Sequence, residues 1–247
     1  MRLDKFICKS TELSKAEAIQ CIHAAEVMVN GDIITLESSQ VHENNTITLN
    51  GQTLKARPFR YILMHKPAET ICSNTDGDYP SLLRILEHDP QIERVSELHI
   101  AGRLDVDSTG LVLITDDGRW TYNITRPDKQ CTKTYRVGLS YRIAEDAVAA
   151  LVKRFKHGLP LQGQSQLTLP ALLEVFPANT NNIKKGENQE ALLTITEGKY
   201  HQVKRMFTAV GNRVRTLHRE RIGGIQLDVE VGQWRYLTPS EVSAFEK

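Results

Sequence analysis

The stretch of the 247-residue chain richest in groups able to do chemistry runs from Ala101 to Gly118, AGRLDVDSTGLVLITDDG. It sets a carboxylate, Asp105, and a guanidinium, Arg103, on a glycine-bounded loop. Directly after the loop, Leu111-Val112-Leu113-Ile114 reads as a buried strand. A polar loop anchored at the edge of a core is held rigidly, and such loops are where sites are built. Two local motifs overlap here, and each lacks a part. Asp105, Asp107, Thr109, Gly110 and Asp116 fall on calcium-loop positions, but the last position carries Asp in place of a bidentate Glu and no helix pair flanks the run. Asp105-Val106-Asp107-Ser108-Thr109 also fits the D-x-D-x-T of aspartyl-phosphate phosphatases. Their nucleophile follows a hydrophobic strand, and His99 to Leu104 makes a poor one.

Formal net charge is only +1, so a polyanionic partner would have to be met by local clustering. Lys199, Lys204, Arg205, Arg213, Arg215, Arg219 and Arg221 lie close together against one acid, Glu220. A second basic run, Arg126, Lys129, Lys133, Arg136 and Arg142, is opposed by Asp128 alone, whereas Glu87, Asp89, Glu93 and Glu97 collect acid elsewhere. Segregation of this kind fits either one polyanion-facing surface or two solvated faces. Cys8, Cys21, Cys72 and Cys131 are scattered, without the spacing of a zinc or redox motif, so cytoplasmic thiols and no metal are expected. The longest apolar run, Ala147 to Val152, is too short to cross a bilayer, and no signal-peptide pattern opens the chain.

The elements that must position these groups fall into two parts. In residues 1–57, Leu3, Phe6 and Ile7 give a short helical face, and Ser14-Lys15-Ala16-Glu17 forms a capping box ahead of Ala18, Ile19, Ile22 and Ala25. Val27-Met28-Val29, Asn30-Gly31 and Ile33-Ile34 predict a tight hairpin, and a further strand at Thr46 to Leu49 ends at Asn50-Gly51. In residues 58–247, strands are expected at Tyr61 to Met64, Leu111 to Ile114, Lys133 to Leu139, Ala171 to Phe176 and Ala191 to Thr196. Helices fit Leu82 to Leu86, Glu145 to Phe155 and Val203 to Val210, the last stopped by Gly211, and Asn179 to Glu190 reads as a long polar connection. Strands joined partly by hairpins and partly by helices give an α+β class with a mixed sheet.

A third reading of the Asp105 loop draws on much more of the chain. Gly102-Arg103-Leu104-Asp105, with Ser108-Thr109-Gly110-Leu111 and Thr115-Asp116-Asp117-Gly118, is similar to the catalytic motif of RsuA-type pseudouridine synthases. Lys66-Pro67 upstream, Lys133-Thr134-Tyr135, Glu197 to Phe207 and Leu217 to Gly224 downstream follow in the family's order. The N-terminal part resembles the S4 RNA-binding module, through Arg2-Leu3-Asp4-Lys5-Phe6, the capped helix and Val27 to Gly31. Its Lys9 and Lys15 sit among Glu12, Glu17 and Glu26, which predicts a modest grip on RNA. One position departs from the family: Glu69 stands where glycine is usual after Lys66-Pro67-Ala68, and a turn needing positive φ would be strained by glutamate.

The resemblance implies a small S4-like module at 1–57, a pseudouridine synthase domain at 58–247, and conversion of a uridine to pseudouridine without a cofactor. The bond from ribose C1′ to N1 breaks, the base turns, and C1′ joins C5. A carboxylate beside C1′ can stabilise its positive charge or bond to it, which makes Asp105 the catalytic candidate. Lys204 is its implied basic partner, with Arg205 as the alternative, and Tyr135 would stack on the flipped base or sit as an ordinary strand tyrosine. Arg103, Lys133, Lys199, Arg205, Arg219 and Arg221 are the expected RNA contacts, and His201 and His218 are expected in structural or RNA-contacting roles. The segments around Lys199 to Phe207 and His218 to Arg221 look most like the small-subunit branch. The implied partner is then 16S rRNA or a small-subunit assembly intermediate, met by a cytoplasmic monomer. A sibling activity on 23S rRNA, or an assembly factor that binds without turnover, are the alternatives.

Overall fold

The computed structural model describes residues 1–42, 44–177 and 189–246, and the chain divides into two compact units, Met1–Phe59 and Arg60–Lys247. The first unit holds helices α1 (Leu3–Ser10) and α2 (Lys15–His23) and strands β1 (Val27–Val29), β2 (Asp32–Ile33), β3 (Ile47–Leu49) and β4 (Gln52–Thr53). Helix α2 starts where its capping box sets it: the Ser14 hydroxyl accepts from the Glu17 amide, and the Glu17 carboxylate accepts from the Ser14 amide at 2.7 Å. Both Asn-Gly pairs take positive φ at each residue, 54° and 94° at Asn30-Gly31 and 49° and 78° at Asn50-Gly51. That geometry closes two-residue hairpins, giving the sheet order β2-β1-β3-β4. Leu3, Ile7, Ala18, Ile22, Val27, Val41 and Ile47 make its core.

The second unit runs β5 (Tyr61–Lys66), α3 (Leu83–Glu87), β6 (His99–Ala101), β7 (Thr109–Thr115), α4 (Gly118–Thr125), β8 (Lys133–Leu139) and α5 (Glu145–His157). It continues through β9 (Leu172–Val175), β10 (Gln189–Ile195), α6 (Gln202–Ala209), β11 (Val214–Ile222), β12 (Ile225–Gln226), β13 (Trp234–Tyr236) and α7 (Pro239–Ser243). Among the described residues nine strands form one mixed sheet, β13-β5-β7-β11-β8-β10-β9, with β6 on β7 and β12 on β11. Strands β9 and β10 pair antiparallel, while most of the polar connection expected between them lies outside the described residues. Two apolar layers sandwich the centre of the sheet. Ile62, Val112, Val137, Leu193, Phe155 and Phe207 belong to one, and Leu63, Leu113, Trp120, Ile124, Ile222 and Phe245 to the other. Alternate β7 residues therefore enter opposite cores, and an uninterrupted apolar run is what a strand buried on both faces requires.

One edge of β7 changes partner along its length. Thr109 and Gly110 pair in parallel with His218 and Arg219 of β11, whereas Leu113, Ile114 and Thr115 pair antiparallel with Ala101, Ile100 and His99 of β6. The chain leaves the sheet between these two pairings, and that exit is the loop carrying Asp105. His99–Ala101 is thus a real strand, contrary to the expectation from its composition. It ends at Ala101, short of Asp105, so the carboxylate does not sit at a strand tip.

Closeness at the parallel contact depends on Gly110, whose φ is +110° and whose missing Cβ would fall on the Arg219 backbone nitrogen and carbonyl. Gly110→Ala is expected to destabilise the chain by about 3 kcal/mol. Gly118→Ala, where nothing lies within reach of a new methyl, should be near neutral. Thermal unfolding of the two variants side by side checks this, and equal midpoints would show that β7 and β11 tolerate a side chain between them.

Candidate active site

The Asp105 loop is fastened from beneath by Lys66, the last residue of β5, whose side chain is fully buried. Its ammonium donates to the carbonyls of Pro67 at 2.9 Å, Val106 at 3.2 Å and Ser108 at 2.8 Å, matching three N–H donors with three acceptors. Burial pushes the Lys66 pKa below the ordinary lysine value, with Asp107 and Asp105 among the nearby groups acting the other way. Further ties come from the segment after Lys66. The Glu69 amide donates to Val106 O at 2.9 Å, and Cys72 Sγ accepts from the Leu104 amide at 3.3 Å. Glu69 itself has φ of 61°, so the backbone keeps the left-handed turn for which glycine is better suited and the glutamate bears the strain.

From the side, Arg219 completes the anchoring. It is 1% exposed, and its Nε donates to Leu111 O at 2.7 Å while one terminal nitrogen donates to Gly102 O at 3.1 Å. Leu111 lies between the two stretches of β7 edge that pair with β11 and β6, so the guanidinium supplies a donor where the edge changes partner. The other terminal nitrogen reaches the Tyr135 hydroxyl at 3.5 Å, and the guanidinium carbon lies 5.9 Å from that ring's centroid.

Above these anchors Asp105 lines an open pocket with Arg103, Tyr135, Ile195, His201 and Leu217. Each carboxylate oxygen has a partner: Lys204 Nζ lies 3.1 Å from Oδ2 and His201 Nε2 lies 3.4 Å from Oδ1. Lys204 is shared, since its ammonium also donates to both oxygens of Asp107 at 2.7 and 3.0 Å. Burial works against the Lys204 charge, but its bonds to the two aspartates prevail and raise its pKa above the ordinary lysine value. Burial likewise works against the Asp107 charge, and the Lys204 bond prevails and lowers it. The ion pair is therefore intact through neutral pH. Its Asp107 share is full above the ordinary carboxylate range and is lost as pH falls through the depressed value. Both His201 and Lys204 are set by the start of α6: His201 is its N-cap, in the left-handed region at φ 48° and ψ 34°, and Lys204 follows one turn later.

Three expected site residues, Asp105, Tyr135 and Lys204, come together, Asp105 and Tyr135 lining the pocket and Lys204 pairing with Asp105. Arg103 is exposed at the pocket and Lys199 lies on its wall, 3.4 Å from Glu197. Four residues are placed otherwise than expected. Lys133 is buried and donates to Ile124 O and Cys131 O at 3.0 and 3.1 Å, closing the end of α4, so it presents no charge to a phosphate. Arg219 is an internal anchor for the reason given above. Arg205 turns away from Asp105 to donate to Tyr200 O at 3.1 Å and to Gln162 O. Arg221 is exposed beside Thr134, Leu192 and Thr194 on the sheet face opposite Tyr135, because the bulge after Arg219 shifts the alternation of β11. The importance of Asp107 and the closeness of His201 to Asp105 escape the sequence reading, although both lie inside the motifs it singles out. Among the described residues no group of three or more His, Cys, Asp or Glu is placed to hold a metal ion.

A family model described as RNA pseudouridylate synthase matches residues 60–209. Ribosomal small subunit pseudouridine synthase A of Vibrio parahaemolyticus is 46% identical over 246 residues, covering 99% of each chain. The protein of the same name from Escherichia coli K12 is 42% identical over 248 residues, again covering 99% of each. A crystal structure of a pseudouridylate synthase aligns with a TM-score of 0.66 at 39% identity, covering 99% of both chains.

Two outcomes are expected from these contacts. Lys66→Met strands three loop carbonyls and should cost on the order of 3 kcal/mol, with faster amide exchange at Val106 and Ser108; protection equal to wild type would show the ammonium is dispensable. In Lys204→Met, NMR titration of the Asp107 carboxylate should show its midpoint returning upward toward the ordinary value near ~3.9, and an unmoved midpoint would assign the depression to another group.

Proposed function

Because the chain belongs to the RNA pseudouridylate synthase family, we propose that it isomerises one uridine of 16S ribosomal RNA, with Asp105 as the carboxylate at the anomeric carbon. The observation that carries this reading is the placement of Asp105. It stands on a rigid loop at an open pocket, with Lys204 on one oxygen and His201 near the other. The small-subunit target follows from the full-length likeness to proteins named for that subunit.

The target uridine leaves its stack and enters the pocket, where Tyr135 meets the base. As the bond from C1′ to N1 loosens, positive charge grows on the sugar and the Asp105 carboxylate stabilises it or bonds to C1′. Lys204 pairs with that carboxylate from the side away from His201. The base turns, C5 joins C1′, and one proton moves from C5 to N1, so no atom is lost and no cofactor is required. Arg103 fills the space the base vacates or grips a phosphate, and Lys199 serves the backbone on the other side. The first unit, with its capped helix pair and small sheet, acts as an S4-like RNA-binding module. A uridine that must be extruded is reached more easily in an assembly intermediate than in a finished subunit, and such RNA is met in the cytoplasm.

Asp105→Asn should lower pseudouridine formation by about a thousandfold or more, equivalent to ~4 kcal/mol, with RNA affinity nearly unchanged. Pseudouridine mapping on 16S and 23S rRNA checks it. A single new site on 16S rRNA with wild type alone is the expected result, a site on 23S rRNA would move the target, and turnover by the variant would remove Asp105 from its role.

A further inference from the structure

Tyr200 is 74% exposed, more than any other tyrosine among the described residues, yet it is not a loosely held side chain. One face of its ring stacks on His201 with centroids 3.8 Å apart and planes 19° from parallel, while its carbonyl accepts from Arg205 at 3.1 Å. His201, held at φ 48°, in turn places Nε2 3.4 Å from Asp105 Oδ1. Two flat rings thus lead outward from the carboxylate. The inner one lines the pocket, and the outer one precedes it in the chain, stacked on it and largely exposed. Fixed on one face by His201 and exposed overall, the ring beside the Asp105 partner offers a flat surface that a base can cover.

We propose that the open face of Tyr200 is a subsite for the nucleobase adjoining the flipped uridine. The proposal rests on the reading of Asp105 as the catalytic carboxylate. Extruding one nucleotide leaves its neighbour with an unstacked face, and a fixed aromatic ring replaces the lost stacking partner. The subsite takes any base, since all have a π-face, and favours purines for their larger area. Lys199, the preceding residue, and exposed Arg103 at the same pocket supply cations for the phosphates around this step. Arg205 belongs to the same device as a positioning residue: its guanidinium holds the Tyr200 carbonyl.

The test uses the full-length protein and a 16S rRNA fragment on which wild type forms pseudouridine. 2-Aminopurine is placed in turn on either side of the target uridine. Binding of wild type should quench the fluorophore on one side. Tyr200→Ser should abolish that quenching and raise KM about tenfold, equivalent to ~1.4 kcal/mol, and Tyr200→Phe should restore both. A purely structural tyrosine would not produce a side-specific optical change. Unchanged KM and unchanged quenching on both sides in Tyr200→Ser would overturn the subsite. Asp105→Asn should keep the quenching while losing product. Turnover by that variant would overturn the catalytic reading and with it this placement of the subsite, and that result is read from the product and not from the fluorescence.

Discussion

A buried ammonium without a carboxylate in direct contact is a costly thing to fold, and the second unit is organised around one. Lys66 donates to three carbonyls that belong to the Asp105 loop and to the turn beneath it. Backbone carbonyls in a loop ordinarily turn to water. Here they are drawn inward to a single point, and the loop's outer side is left to carry the carboxylate. The arrangement fixes the loop by electrostatics where its polar residues could not fix it by packing. The strained turn at Glu69 and the thiol of Cys72 then act on a loop whose course is already set.

Arg219 performs the complementary task at the sheet. A strand edge that pairs first with β11 and then with β6 must pass through a gap, and the guanidinium crosses it, binding Leu111 on one side and Gly102 on the other. The same group reaches the Tyr135 hydroxyl. The loop bearing Asp105 and the strand bearing Tyr135 both meet one buried side chain, in addition to the backbone pairing of β11 with β7 and β8.

How far this was legible differs from residue to residue. The capping box at Ser14, the Asn-Gly hairpins, strand β8 and the glycine-bounded Asp105 loop each follow from local chemistry, and local chemistry is written in sequence. Helix α4 was hidden because Asp117-Gly118 reads as a turn. Asp117 instead caps the helix, accepting from the amides of Arg119 and Trp120, and only Trp120 and Ile124 are buried. Strand β11 was hidden by its charges. Its buried arginine is satisfied by carbonyls of Leu111 in β7 and of Gly102, just past β6, and no hydropathy pattern records that. Lys133 was read as a phosphate contact for the same reason: charged residue types are assigned to the surface unless their internal acceptors are known. The pairing of Asp107 with Lys204 joins residues far apart in the chain, so only the folded sheet and α6 bring it about.

That pairing has a consequence for charge conservation along the reaction. Lys204 lies closer to Asp107 than to Asp105, so two carboxylates share one ammonium beside the pocket. If Asp105 surrenders its charge in bonding to the sugar, Lys204 keeps a full counterion and no lone cation is stranded beside the substrate. The second aspartate works as ballast. The charge of this triad shifts by one carboxylate, from an excess negative charge to a neutral pair.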